Sequence, residues 1–255
     1  MNTAKQIGVI ALFPPMFNAL DYGITGRAQQ QKLLNIHYWN PRDYSDDPHQ
    51  RIDDRPYGGG PGMVMAAPPL DTAIQAARQH YQTASTAIYL SPQGQPLTQA
   101  KIQQWTQTPQ PLIFIAGRYE GIDERLLELS IDEQWSLGDY VLSGGELAIM
   151  VVIDALTRLL PGALGDATSA DQDSFSRGLL DWPHYTRPQT YRQLDVPTVL
   201  RSGDHQAIAR WRLKQALGKT WQKRPDLLKR ATLSADERQL LLEYQTKMRS
   251  GEQHD

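Results

Sequence analysis

The sequence predicts an α/β protein, a mostly parallel sheet covered by helices, followed by a small α-helical domain. Three observations carry that prediction. Strand and helix signals alternate through the first 160 residues, the pattern of strands joined by crossover helices. Two of the strand signals, residues 87–90 and 112–116, are unbroken apolar runs, as expected where both faces of a strand are buried. Beyond a Gly/Ser-rich break at 161–180 the pattern becomes helical and basic. A chain of 255 residues can bury the core that such a layout needs.

The elements follow in order. Residues 7–13 are a short apolar run closed by Pro14-Pro15, a first strand. Residues 33–39 alternate, with Leu34, Ile36 and Tyr38 on one face, and predict a second. Leu70, Ala73, Ile74, Ala77 and Tyr81 make one stripe of a helix over 70–81. The runs 87–90 and 112–116 come next. Residues 146–160 predict a strongly apolar helix that stops at Pro161-Gly162. Gly162, Gly165, Ser169, Ser174, Ser176 and Gly178 then stand among few large apolar side chains, which reads as a linker or mobile loop. Past Pro183, Pro188 and Pro197, helical patterns cover 204–217 and 235–248, with Asp204 and Ser234 as N-caps. The expected organisation is an α/β domain at 1–160, a flexible linker at 161–180 and a helical domain at 181–255.

Composition narrows the function. With 26 Lys/Arg against 28 Asp/Glu the formal charge is −2, which excludes a uniformly basic nucleic-acid coat. An apolar share of 40% excludes an acidic disordered chain. The absence of Cys excludes a disulfide framework, Cys-ligated zinc, iron–sulfur clusters and thiol nucleophiles. No stretch approaches the ~18 consecutive apolar residues of a membrane span, and the polar start shows no signal peptide; the expectation is a cytoplasmic protein. The small net charge hides an asymmetry. Residues before 177 hold 11 Lys/Arg against 19 Asp/Glu, and those from 177 onward 15 against 9. Within 201–230, nine cations, Arg210, Lys214 and Lys219 among them, face only Asp204 and Asp226. Either this is a solvated helix face or it meets a polyanion, and the excess favours nucleic acid.

Three Gly-rich loops border predicted strands. Ser91, Pro92, Gln93 and Gly94 follow the strand that ends at Leu90. Gly117, Arg118, Tyr119, Glu120 and Gly121 follow the strand ending at Ala116. Leu137, Gly138, Asp139, Tyr140, Val141, Leu142, Ser143, Gly144 and Gly145 lead into the long helix. In open α/β sheets, ligands bind outside the carboxyl ends of the strands, and glycine lets backbone approach a ligand. One such loop alone is more often a tight turn than a binding loop; three at one edge can line a pocket for a purine-bearing cofactor. A fourth loop, 53–63, has Gly or Pro at five of its last six positions, Tyr57, Gly58 and Gly59 lying at its centre. It is either a flexible connection or a surface for a large ligand. No Gly-x-Gly-x-x-Gly follows a strand. Gly218-Lys219-Thr220 imitates the end of a phosphate loop, but Leu213 stands where its first Gly belongs. The six His are scattered, with no His-Glu-x-x-His.

The segments 91–94, 117–125 and 138–146, together with 55–63, Asp173-Ser174-Phe175 and 183–188, resemble the signatures of bacterial tRNA (guanine-N(1))-methyltransferases of the SPOUT class. The resemblance runs in order from about Ile7 to about Met248, with a departure at Gln95, where relatives often carry Lys or Arg. It implies a deep trefoil knot in the α/β domain and a homodimer with active sites between subunits. It implies S-adenosyl-L-methionine as cofactor, bound along 90–94, 117–121 and 137–145, and a magnesium requirement for which no ligand cluster stands out. The implied substrate is the guanosine 3′-adjacent to the anticodon of tRNA, position 37, with Tyr57, Gly58, Gly59, His184, Arg187, Arg210, Lys214 and Lys219 on the tRNA side. Asp173 matches the family's general base and Arg158 the arginine that stabilises charge on the guanine O6. Residue chemistry alone leaves Asp173 evenly balanced between a base and the N-cap of a helix starting at Ser174. It allows Arg158 to be a cation at a helix C-terminus. Two other classes stand beside this reading: a dinucleotide-dependent enzyme, which the missing fingerprint opposes, and a non-catalytic RNA-binding protein built on the basic half.

Overall fold

A computed structural model describes residues 4–165 and 169–250. The chain divides into two compact units, 1–167 and 168–255.

The first unit is built on a five-stranded sheet in the order β2-β1-β6-β5-β7, in which every neighbouring pair is parallel. The strands are β1 (Lys5–Ile10), β2 (Leu34–Trp39), β5 (Thr86–Pro96), β6 (Leu112–Ile115) and β7 (Glu133–Ser136). A two-stranded hairpin, β3 (Asp53–Asp54) with β4 (Val64–Met65), stands apart from the sheet. Helices α1 (Gly23–Gln30), α3 (Gln99–Gln107) and α5 (Gly145–Thr157) contribute to one buried core; α2 (Ala67–Tyr81) and α4 (Glu124–Ser130) contribute to the other. β6 shows why its sequence is continuously apolar. Leu112 and Phe114 belong to the α1/α3/α5 core, Ile113 and Ile115 to the α2/α4 core, and all four are fully buried. Alternation across the pleat leaves no side for a polar residue.

The expected strands and the helices at 70–81 and 146–160 are present, with shifted ends. The first strand stops at Ile10, and residues 14–21 turn into a 3-10 segment. The long helix stops at Thr157, with Arg158 as its C-cap. The elements that the sequence pattern missed are short or polar. α3 carries only Ile102 and Trp105 as buried residues among glutamines, and β7 is the four-residue edge strand Glu-Gln-Trp-Ser.

The second unit holds α6 (Ser169–Gln172), a hairpin of β8 (Thr190–Tyr191) and β9 (Leu194–Asp195), α7 (His205–Lys223), α8 (Pro225–Arg230) and α9 (Ala235–Arg249). Leu179, Leu217 and Leu240 form its small core. Both expected N-caps are in place. The Asp204 carboxylate accepts from the N–H groups of Gln206 and Ala207 at 2.9 and 3.0 Å, and Ser234 forms a reciprocal capping box with Glu237. The phosphate-loop look-alike has a structural origin. Gly218 lies inside α7, where an added Cβ would meet the Tyr244 ring at 2.4 Å. Thr220 is buried, donating to the Ala216 carbonyl and accepting from the Leu180 N–H.

Candidate functional site

Because the strands are parallel, the carboxyl ends of β5, β6 and β7 lie at one edge of the sheet, where the three Gly-rich loops meet around a cavity of about 360 Å³. The β5 loop is a bulge. Leu90 and Gln95 both pair with Trp135, so residues 91–94 project from the ladder. Of the residues expected to hold a cofactor, Leu90, Ser91, Pro92, Gln93, the five from Gly117 to Gly121, Leu137, Gly138, Tyr140, Val141, Leu142, Gly144 and Gly145 line this cavity. Gly94 and Asp139 do not. Gly94 instead packs on β7, with its Cβ position 2.4 Å from the Trp135 backbone nitrogen.

Several loop glycines make room for the protein itself. A Cβ on Gly117 would stand 2.5 Å from the Tyr89 hydroxyl; one on Gly144 would meet Arg118 Nε at 2.4 Å; one on Gly145 would meet the Ala116 Cα at 2.8 Å. The loops therefore lock into one another. Arg118 is the pin. Its Nε donates to both oxygens of Glu146 at 3.2 and 3.0 Å, its Nη1 donates to the Ser143 carbonyl at 3.3 Å, and its guanidinium lies 4.7 Å over the Phe13 ring. Glu146 is fully buried, so neither charge is placed to swing toward a ligand without breaking a buried pair. Tyr119 sits at φ +60°, in the left-handed region, and is half exposed into the cavity; a bulky residue held there marks a strained, over-determined site.

The charge balance of the wall is negative. Arg118 is neutralised by Glu146, whereas Glu120 and Glu124 also line the cavity. Burial, reinforced by Glu124, raises the Tyr89 phenol above its ordinary pKa and keeps it a neutral donor. Such a wall suits a ligand with positive charge. Tyr89, Ile122, Glu124, Leu127, Trp135, Ser136 and Ala148 line it without having been singled out as contacts in the sequence, and Ser143, inside the expected 137–145 stretch, lines it too. Tyr89, Ile122, Ser136 and Ala148 lie one to three residues outside the loops, so extending the loops finds them. Trp135 required β7, and Glu124 and Leu127 required α4.

The fourth loop is the arm between β3 and β4. Its base is fixed to the cavity wall: the Glu120 N–H donates to the Met63 carbonyl at 3.0 Å and the Met65 N–H to the Gly121 carbonyl at 2.9 Å. Its tip is bare. Tyr57 is fully exposed, and Gly58 and Gly59 have positive φ with nothing within 4 Å of a Cβ.

Arg158 does not line the cavity. It caps the far end of α5, thirteen residues beyond Gly145, which is about 20 Å along a helix. Asp173 belongs to the second unit, just after α6. The expected helix starting at Ser174 is not there. The residues after Asp173 form hydrogen-bonded turns: Ser176 N–H to the Asp173 carbonyl at 3.3 Å, Phe175 N–H to the Leu179 carbonyl at 2.7 Å and Asp181 N–H to Ser174 Oγ at 3.0 Å. A cap for that helix is therefore excluded as the role of Asp173. Three residues of the expected linker, 166–168, lie outside the described residues.

In the second unit Arg210 and Lys214 both bind Glu243 of α9, at 2.7 and 3.2 Å. The cation excess at 201–230 is thus partly balanced from outside that window. His184 contacts the Asp181 carboxylate at 2.7 Å, Lys219 is half-buried and Arg187 is exposed. Among the described residues, no three or more His, Asp or Glu gather as a metal site, and no helix is long and apolar enough to cross a membrane.

Comparison with known proteins gives one answer. Residues 5–230 match the profile of the family described as tRNA (Guanine-1)-methyltransferase TrmD. A Coxiella burnetii protein (strain Dugway 5J108-111) named tRNA (guanine-N(1)-)-methyltransferase is 60% identical over 238 residues, covering 93% of this chain and 96% of its own. Proteins of the same name from Pseudomonas paraeruginosa and Pseudomonas aeruginosa PAO1 are each 59% identical over 246 residues, covering 96% of this chain and 97% of their own.

Proposed function

The chain belongs to the tRNA (guanine-1)-methyltransferase family, and we propose that it transfers a methyl group from S-adenosyl-L-methionine to N(1) of the guanosine 3′-adjacent to the anticodon, position 37, in tRNA. The observation that carries the cofactor assignment is the cavity at the carboxyl edge of β5, β6 and β7. It is formed by three interlocked loops and presents Glu120 and Glu124 with no unpaired cation. S-Adenosyl-L-methionine supplies a methyl activated by a positively charged sulfonium. The loop backbones of 90–93, 117–121 and 137–145 would hold its adenosine and methionine portions, and the two glutamates favour its charge.

The chain's own chemistry concerns a proton. N(1) of neutral guanine carries one and is a poor nucleophile until it leaves. Asp173 accepts that proton as general base, a role typically worth ~10²–10⁴ in rate. Arg158 stabilises the negative charge that develops on O6. Within its own chain Arg158 stands at the opposite end of α5 from the cavity wall, so its role calls for a second subunit. The exposed Leu147 and Val151, one turn apart on α5, offer an apolar surface for that copy. The active site is then shared, with the cavity of one protomer and the base of its partner. The arm tip at Tyr57, Gly58 and Gly59 and the cations of the second unit meet the tRNA. The family's magnesium has no matching cluster among the described residues, and no step is assigned to it.

Incubation with unmodified tRNA transcript and labelled S-adenosyl-L-methionine should place one methyl on N(1) of the guanosine at position 37. RNA binding without methyl transfer would instead establish the non-catalytic RNA-binding reading. In single-turnover reactions with both substrates saturating, Asp173→Asn should be slower by ~10²–10⁴ while cofactor and tRNA affinity hold. An unchanged rate removes Asp173 from catalysis.

A further inference from the structure

Residues 182–185 and helix α7 hold two aromatic pairs and a guanidinium within the second unit, the pairs made by residues adjacent in the chain. Trp182 and His184 lie 5.7 Å apart at a 45° tilt, and Tyr185 and Trp211 lie 6.3 Å apart at 56°. The Arg212 guanidinium sits 5.1 Å over the Trp182 ring. Trp211 and Arg212 are consecutive on α7, so one turn of helix supports both pairs. The cluster is not a core. Tyr185 is 47% exposed and the His184 side chain 67% exposed. The Trp211 indole N–H is buried and finds no acceptor among the described residues.

We propose that this cluster binds one unpaired nucleotide of the tRNA by stacking, with Tyr185 as the exposed platform. The chemistry selects that occupant. An aromatic face offered to solvent beside cations fits a ring system attached to a phosphate, and every nucleobase has such a face. The exposed Arg187, two residues beyond Tyr185, and Arg212 supply the cations. A base inside a duplex has both faces stacked already, so the occupant is a loop nucleotide. An apolar protein segment would gain nothing from two guanidinium groups. The proposal rests on the tRNA reading above and adds a base contact to the phosphate contacts expected of this basic half.

The test compares Tyr185→Leu with Tyr185→Phe in the full-length protein. The readouts are tRNA affinity across a salt series, cofactor affinity and thermal midpoint. Removal of the ring should weaken tRNA binding about five- to hundredfold, the usual value of one base–aromatic stack. Tyr185→Phe should bind like the unaltered protein. The salt slope should not move, because no phosphate contact is lost, and cofactor affinity and melting should be unchanged. With single abasic sites placed through the unpaired anticodon-loop positions, one position should weaken the unaltered protein by the same factor and cause no further loss in Tyr185→Leu. Equal binding by Tyr185→Leu overturns the proposal. So does loss in Tyr185→Phe as large as in Tyr185→Leu, or an abasic series with no such position. If the unaltered protein methylates tRNA throughout, only the stacking site has failed; if it neither binds nor methylates tRNA, the functional reading fails with it.

Discussion

Gly117 shows how a residue chosen for one reason can be required for another. In the sequence it marks backbone that comes close to a ligand. In the structure its missing side chain is the space taken by the Tyr89 hydroxyl, at 2.5 Å from an added Cβ. Tyr89 is 7% exposed and cannot swing away freely. Gly117→Ala should therefore push Tyr89 into the cavity, lowering stability by about 1–3 kcal/mol, the usual cost of overpacking, and weakening cofactor binding at least severalfold by calorimetry. Adding Tyr89→Leu should recover the stability; if the double variant melts no higher than Gly117→Ala alone, the clash is not the cause. A second residue-scale prediction concerns pH. Burial first, and then the His80 ring 4.5 Å away, hold the His37 imidazole below its ordinary pKa, with Trp39 and Tyr81 packed on the same group. The unfolded chain takes up a proton near pH ~6.5 and the folded chain only below that. Between those two values the unfolded state binds more protons, so stability falls as pH drops through the window. Urea midpoints from pH 8 to 5 should fall in the unaltered protein and fall less in His37→Phe. Equal slopes would show that His37 does not titrate differently on folding. The sequence identified the loops residue by residue because their glycines are dense. It could not say which glycines serve the cavity and which, like Gly94 against Trp135, serve packing. That depends on what lies across the fold.

At the scale of elements, legibility followed burial and cap chemistry. β6 is readable because both faces are covered, and α7 and α9 because Asp204 and Ser234 announce their starts. β7 was silent because an edge strand of four residues with three polar ones has no period to display. α3 was silent because two apolar residues among glutamines make a faint stripe. The contact between α7 and α9 allows a decision between two opposing effects. Replacing Gly218 by Ala should favour the helix by about 0.8–1.0 kcal/mol on intrinsic propensity. Its Cβ, however, would lie 2.4 Å from the Tyr244 ring, and overpacking costs about 1–3 kcal/mol. We expect the clash to win and Gly218→Ala to lower the urea midpoint of the protein. Recovery in the Gly218→Ala, Tyr244→Leu pair would assign the loss to that ring. A Gly218→Ala variant more stable than the unaltered chain would show that α9 moves aside at little cost.

At the scale of the whole molecule, the sequence showed its two regions through charge, acidic before residue 177 and basic after it. A site made from two copies of the chain leaves no such trace in a single sequence. The shared-site reading draws on two features that a self-contained site would not need. Arg158 stands ten residues, about 15 Å, along α5 from Ala148 of the cavity wall, and Leu147 and Val151 expose apolar surface on that same helix. Two tests follow. On the shared-site reading the unaltered protein should sediment as a dimer, and Leu147→Asp with Val151→Asp should sediment as a monomer and lose methyl transfer, with melting still cooperative. Complementation asks the sharper question. Asp173→Ala keeps an intact cavity and lacks the base; Gly117→Val keeps the base and loses the cavity. Each alone should be inactive. After random exchange of equal amounts, half of the dimers are mixed, and each mixed dimer holds one site with an intact cavity and the intact Asp173 of the partner subunit. Its other site lacks both. Activity should then return to about one quarter of the unaltered level. A site contained within one chain gives no active combination from these two variants. If mass spectrometry shows that mixed dimers have formed and the rate stays at background, each chain carries its own complete site and the shared-site reading fails.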